Sequence, residues 1–76
     1  MKQLVEFLAK SLVDNTDDVK VHQFERDQAT VLEVEVAQPD LGKIIGRQGR
    51  TARALRALLS AAGQKQRRRY ILDIID

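Results

Sequence analysis

Leu41-Gly42-Lys43-Ile44-Ile45-Gly46-Arg47-Gln48-Gly49-Arg50-Thr51 is the stretch that decides the fold. Two glycines bracket two polar residues, one of them cationic. An apolar pair precedes this loop and an arginine-studded helical stretch follows it. Gly46 and Gly49 carry no Cβ to keep a ligand from the backbone, and both tolerate positive φ. A helix beginning near Arg50 turns its free N–H groups and the positive end of its dipole toward the loop. With Lys43, Arg47 and Arg50 nearby, the natural occupant is a phosphate.

Outward from this loop, the pattern predicts six elements. Leu4, Phe7, Leu8 and Leu12 recur at helical spacing and predict an amphipathic helix over about residues 2–13, with those four side chains inward. Asp14-Asn15-Thr16-Asp17-Asp18 reads as a turn. Residues 19–25 read as a strand, and Arg26-Asp27-Gln28-Ala29 as a hairpin connection. Leu32, Val34 and Val36 alternate with Glu33 and Glu35, which predicts a strand with one wet face. Pro39-Asp40 starts a short helix through Ile44 and Ile45 to Gly46, with Asp40 as its cap or first-turn acid.

Beyond the loop, Leu55, Leu58, Leu59 and Ala62 predict the buried face of a further helix. Arg50, Arg53 and Arg56 cluster on the opposing arc, and Gly63 is placed as the left-handed cap. Residues 69–75 form a last strand whose apolar residues fall on both faces. The order helix, strand, strand, helix, helix, strand predicts an α+β fold, a three-stranded sheet with its helices packed on one face.

Size and composition limit the functional classes. Seventy-six residues make one domain, 1–76, which buries only about 60% of its unfolded surface. There is no cysteine and a single histidine, His22. No disulfide framework and no thiolate metal site follow, and no cofactor or metal is expected. The first ten residues are interrupted by Glu6 and Lys10, unlike a signal peptide, and no apolar run is long enough to span a bilayer. The Walker and dinucleotide glycine patterns are absent, and no nucleophile–base pair stands out, so an enzyme has little support.

Charge is unevenly distributed. Residues 1–40 hold 4 basic and 9 acidic residues, whereas residues 41–76 hold 9 basic and 2 acidic ones. From Leu41 through Arg69 there is no acid at all. This asymmetry is the footprint of a polyanion binder; the alternative is a solvated face whose acidic neighbours lie across the fold. The Arg67-Arg68-Arg69 run reads more simply as a charged loop guarding a strand end.

With these elements in order, the chain resembles a KH domain of the type II arrangement, αββααβ, with Gly46-Arg47-Gln48-Gly49 as its GXXG loop. On the run Ile44 to Thr51 it is most similar to the small stand-alone bacterial RNA-binding proteins of the KhpA family. The resemblance covers the whole chain and implies a cytoplasmic, non-catalytic protein. It would hold about four nucleotides of single-stranded RNA in a narrow groove, as an RNA chaperone or adaptor in post-transcriptional regulation and, in some bacteria, cell shape.

Carried over by position, Gly46, Arg47, Gln48 and Gly49 would clamp the sugar-phosphate backbone. Lys43, Arg50 and Arg53 would add charge at the groove margin, and Leu41 and Ile45 would form an apolar floor. The edge of the Leu32–Val36 strand would line the far wall. Many KH domains place an isoleucine where this chain has Ala52, which implies a shallower floor. With only Phe7, Phe24 and Tyr70 as aromatics, base stacking on rings is not expected to dominate. The resemblance also implies pairing, as a homodimer or with a larger KH-containing protein of the Jag/KhpB type. A protein-interaction or ribosome-assembly module, with the groove secondary, is the competing class.

Overall fold

The structure, a computed structural model, describes residues 1–75. Helix α1 spans Lys2–Leu12, strands β1 and β2 span Lys20–Arg26 and Ala29–Glu35, helices α2 and α3 span Leu41–Ile45 and Arg50–Gln66, and strand β3 spans Tyr70–Ile75. Single turns of 3-10 helix occupy Thr16–Asp18, Gln38–Asp40 and Arg47–Gly49. The predicted element order and the α+β class hold.

The sheet order is β1-β2-β3. Strands β1 and β2 are antiparallel, from Lys20↔Glu35 to Arg26↔Ala29, and the two-residue connection between them has Asp27 and Gln28 at φ 51 and 66. Positive φ at both central positions is the hairpin turn that matches strand twist. Strand β3 pairs parallel with β2. A parallel return needs a crossover, and here α2 and α3 supply it. Because β1 already occupies one side of β2, β3 takes the other and becomes an edge.

The helices cover one face of the sheet. Val21, Leu32, Val34 and Leu72 from the strands meet Val5, Ala9, Val13, Ile44 and Leu59 from the helical side. Leu32 and Ile44 are fully buried, each contributing about 1.5–3 kcal/mol by leaving water. In β3, Tyr70 and Ile74 pack against this core while Ile75 is exposed.

Three expectations are corrected. The buried stripe of α1 is Val5 and Ala9, continued by Val13, while Leu4 and Phe7 are 44% and 67% exposed. Two apolar stripes overlap on this helix, and the one with small side chains lets its backbone approach the sheet. In α3 the buried residues are Ala52, Leu59 and Gly63, and Leu58 is 54% exposed.

Gly63 does not end α3. The helix continues to Gln66, and Arg67 takes the left-handed cap at φ 54, ψ 42. Glycine is needed at 63 because the returning chain crosses there. A Cβ would stand inside 3.0 Å of the Arg68 carbonyl oxygen and 3.2 Å from Tyr70 Cδ2.

Candidate nucleic-acid interface

Residues 46–50 turn sharply between α2 and α3. Gly46 sits at φ 77, ψ 169, a region that essentially only glycine occupies. Gln48 and Gly49 follow in left-handed conformations, φ 58 and 75. The Gly46 N–H donates to the Gly42 carbonyl at 2.8 Å and the Gly49 N–H to that of Gly46 at 3.0 Å.

The two glycines have different duties. A Cβ at Gly46 would collide with the side chain and amide of Thr51, so the loop is folded tightly onto the start of α3. A Cβ at Gly49 would meet only the tip of Arg53, at 3.6 Å. Gly46 is thus required by its backbone angle and by packing, whereas Gly49, in a left-handed conformation that Gln48 also adopts, keeps open the space in front of the loop. The first turn of α3 has no capping side chain and no acidic residue; the Arg50 N–H is taken by the Arg47 carbonyl, and the positive end of the helix dipole there still favours an anion.

Beside this loop lies an open cleft of about 340 Å³ lined by Ile45, Gly49, Ala52, Arg53, Arg56 and Ile74. Ile45 is 38% exposed and Ala52 is buried. Of the residues assigned from sequence, the fold thus brings Ile45, Gly49 and Arg53 together on the cleft wall. Arg47, Gln48 and Arg50 are exposed in the adjoining loop and first helical turn. Leu41 is half-buried in α2 and does not line the cleft.

The far wall is corrected from β2 to β3. Strand β2 is central, with partners on both sides, so its main chain has no free edge. In the parallel ladder the Thr30 N–H donates to the Arg69 carbonyl at 2.8 Å. Parallel pairing alternates, so residues 69, 71, 73 and 75 bond to β2, and the main-chain groups of Tyr70, Leu72 and Ile74 face away from it. Arg56 Nε approaches the Leu72 carbonyl from that side at 3.5 Å. The wall opposite the glycine loop is therefore an open strand edge with one carbonyl addressed by an arginine. Arg56 and Ile74 were missed as site residues. The signal for Arg56 was its three-residue spacing from Arg53; Ile74 had none, because its place depends on sheet order.

Lys43 is engaged elsewhere. Its ammonium donates to the carboxylate of Asp14 and, at 3.4 Å, to Asp40. Asp40 stands at the N-cap position of α2, but its side chain makes no capping hydrogen bond there. It is 1% exposed and accepts from the Asn15 N–H and Nδ2 at 2.9 Å each and from the Asp14 N–H at 3.4 Å. The Asn15 N–H donation holds the Asp40 carboxyl below the usual carboxylate range, against the burial that pushes it up. The hydrogen bond to Asp14 raises Lys43 in turn. This cluster ties the end of α1 to the start of α2 and fixes the helix that leads into the glycine loop. Among the described residues, no group of three or more His, Cys, Asp or Glu side chains is placed to hold a metal, and no helix is long and apolar enough to cross a membrane.

Comparison with known proteins adds sequence relatives to this geometry. The family described as "KhpA/KhpB, KH domain" matches residues 2–74. A protein named RNA-binding protein KhpA from Borreliella burgdorferi is 53% identical over 74 residues, covering 97% of this chain and 90% of its own length. Proteins of the same name from Halalkalibacterium halodurans and Clostridium acetobutylicum are 51% and 48% identical. They are covered over their full lengths and span 100% and 99% of this chain. No solved structure matches the chain.

Proposed function

The chain belongs to the KhpA/KhpB KH-domain family, and on that premise we propose that it is a bacterial protein that binds single-stranded RNA in the cleft between the glycine loop and the β3 edge. One observation carries this reading above the others. A loop with two glycines at positive φ and a helix N-terminus without a side-chain cap face an open strand edge across an arginine-lined cleft that, among the described residues, no acid lines. Phosphates sit against Gly46, Arg47, Gln48 and Gly49, and Arg50, Arg53 and Arg56 supply charge. Bases lie over Ile45 and Ala52 toward Ile74, within reach of the outward-facing Leu72 N–H and the main-chain groups of Ile74. Lys43 and Leu41 act from behind, by fixing α2.

The role is non-catalytic and cytoplasmic, that of an RNA chaperone or adaptor. A groove for about four nucleotides binds weakly. Pairing with a second copy or with a larger KhpB-type protein raises avidity without new contacts. The exposed Phe7 and Leu58 side chains favour a protein contact of this kind. In the competing protein-interaction reading, partners stay bound in a pull-down after nuclease treatment.

The test is fluorescence anisotropy of a labelled single-stranded RNA with wild-type protein and Gly49→Asp at two salt concentrations. Gly49 is the residue to change, because Gly46→Asp would drive a side chain into Thr51 and disturb the fold as well. Salt-sensitive binding that Gly49→Asp loses, with its circular dichroism unchanged, is the expected result. Equal binding by the two proteins would refute the groove assignment.

A further inference from the structure

At the opposite end of α3 lies a second basic cleft, of about 460 Å³, lined by Glu25, Gln28, Thr30, Arg67, Arg68 and Arg69. Its backbone is anchored on both sides. The Arg68 N–H donates to the Gly63 carbonyl at 2.8 Å, and the Arg69 carbonyl accepts from the Thr30 N–H at 2.8 Å. The three guanidiniums therefore project from a fixed segment and not from a loose loop. Among the described residues, one of the three is partly neutralised: Arg68 Nη1 lies 4.0 Å from Glu25 Oε1, an oxygen that also accepts from the Thr30 hydroxyl at 2.8 Å. Among the described residues, no carboxylate lies within ion-pair distance of Arg67 or Arg69.

The ground between the two clefts is suited to a polyanion. Along α3, Ser60 lies four residues beyond Arg56 and Gln64 four beyond Ser60, both exposed, with Arg67 three beyond Gln64. None is acidic, and the free edge of β3 returns beside them. Helix α3 has 17 residues, a length of about 25 Å. That is roughly seven nucleotides at the stacked spacing of about 3.4 Å.

We infer that the Arg67–Arg69 cleft is a second phosphate-contact site for the same RNA strand, reached along α3 and the β3 edge from the glycine-loop groove. This rests on the RNA-binding reading above and extends it. The groove holds about four nucleotides, and the arginine cleft engages the backbone of a longer strand without reading its bases. The chain would then favour long unpaired RNA over short.

The experiment compares wild-type protein with the double variant Arg67→Gln/Arg69→Gln, which leaves the Arg68–Glu25 contact in place, on single-stranded RNAs of about four and about twelve nucleotides. Folding of each variant is checked by circular dichroism and urea unfolding. Both proteins are expected to bind the short RNA equally. On the long RNA, the variant keeps only the statistical gain from additional registers, and its slope of log affinity against log salt is shallower by about 1.4, or about 0.7 for each phosphate lost. Register statistics do not alter that slope, so it is the deciding readout. Glu25→Gln should steepen long-RNA binding and leave the short RNA unchanged.

Equal slopes for wild type and the double variant on the long RNA overturn the inference while the groove stands. Loss of short-RNA binding by the folded double variant overturns it too, since the arginines would then belong to the groove. Absence of wild-type binding to either RNA overturns both readings.

Discussion

Replacing Gly63 by alanine separates helix propensity from tertiary packing at one atom. Propensity alone favours the change: alanine is better than glycine in a helix interior by about 1 kcal/mol, and Gly63 lies three residues inside the end of α3. The fold opposes it. The new Cβ would stand inside 3.0 Å of the Arg68 carbonyl oxygen. That oxygen belongs to backbone, held by the Arg68 N–H to Gly63 hydrogen bond and by the Arg69–Thr30 bond beyond it, so it has no rotamer into which to retreat.

Overpacking of this kind costs about 1–3 kcal/mol, and weakening the Arg68–Gly63 bond costs a further 0.5–1.5 or so. Less the propensity gain, the net is a destabilisation of about 2 kcal/mol, or about 8–16 °C in Tm for a domain of this size. Gly42→Ala is the matched control: it too is helical, and nothing lies within 4 Å of its Cβ position. It should raise stability by about 0.5–1 kcal/mol. Urea and thermal unfolding followed by circular dichroism measure both. If Gly63→Ala is as stable as wild type, or moves in the same direction as Gly42→Ala, the chain crossing at Gly63 is not the constraint described.

Three further outcomes follow from other parts of the fold. Gln28 holds φ 66 in the hairpin turn, so Gln28→Gly should stabilise by about 1 kcal/mol, read as a higher urea midpoint. Asp14→Asn removes one of the two carboxylates holding Lys43. RNA affinity should rise at low salt, and the difference should close at high salt; an equal difference at both would show that the effect is not electrostatic. Asp40 is held below the usual carboxylate range, so its contribution to stability is complete above the unfolded value of about 4. It is lost as pH falls through the still lower folded value. Urea midpoints followed downward from pH 5 should therefore decline more steeply in wild type than in Asp40→Asn, which should already be the less stable protein at neutral pH.

Which features were legible in the sequence depends on how far their causes reach. The glycine loop is local. Its positive-φ positions, the helix that follows and the absence of acid are all written within residues 41–56, and the structure returns them in place. The hairpin and the alternation of β2 are nearly as local. The errors share a different origin. Asp40 beside Pro39 has the local signature of a helix cap, but its partners are Asp14 and Asn15, some 25 residues earlier, and no pattern at position 40 points to them. On α1, two apolar stripes fit one helix, and only the sheet chooses between Val5 and Phe7.

The groove shows the same division within one site. One wall is a loop and was visible; the other depends on which strand is left at the edge. That follows once two connections are considered together. The tight Asp27–Gln28 turn commits one side of β2 to β1, and the double-helix crossover brings β3 back parallel on the side that remains. Placing the far wall on β2 treated the strands one at a time. Because β3 runs parallel to β2, its C-terminal half, with Leu72 and Ile74, comes back beside the loop at the start of α3, while its beginning lies with Arg67–Arg69 at the other end. The same pairing order thus completes the groove and places the second basic cleft at the opposite end of α3.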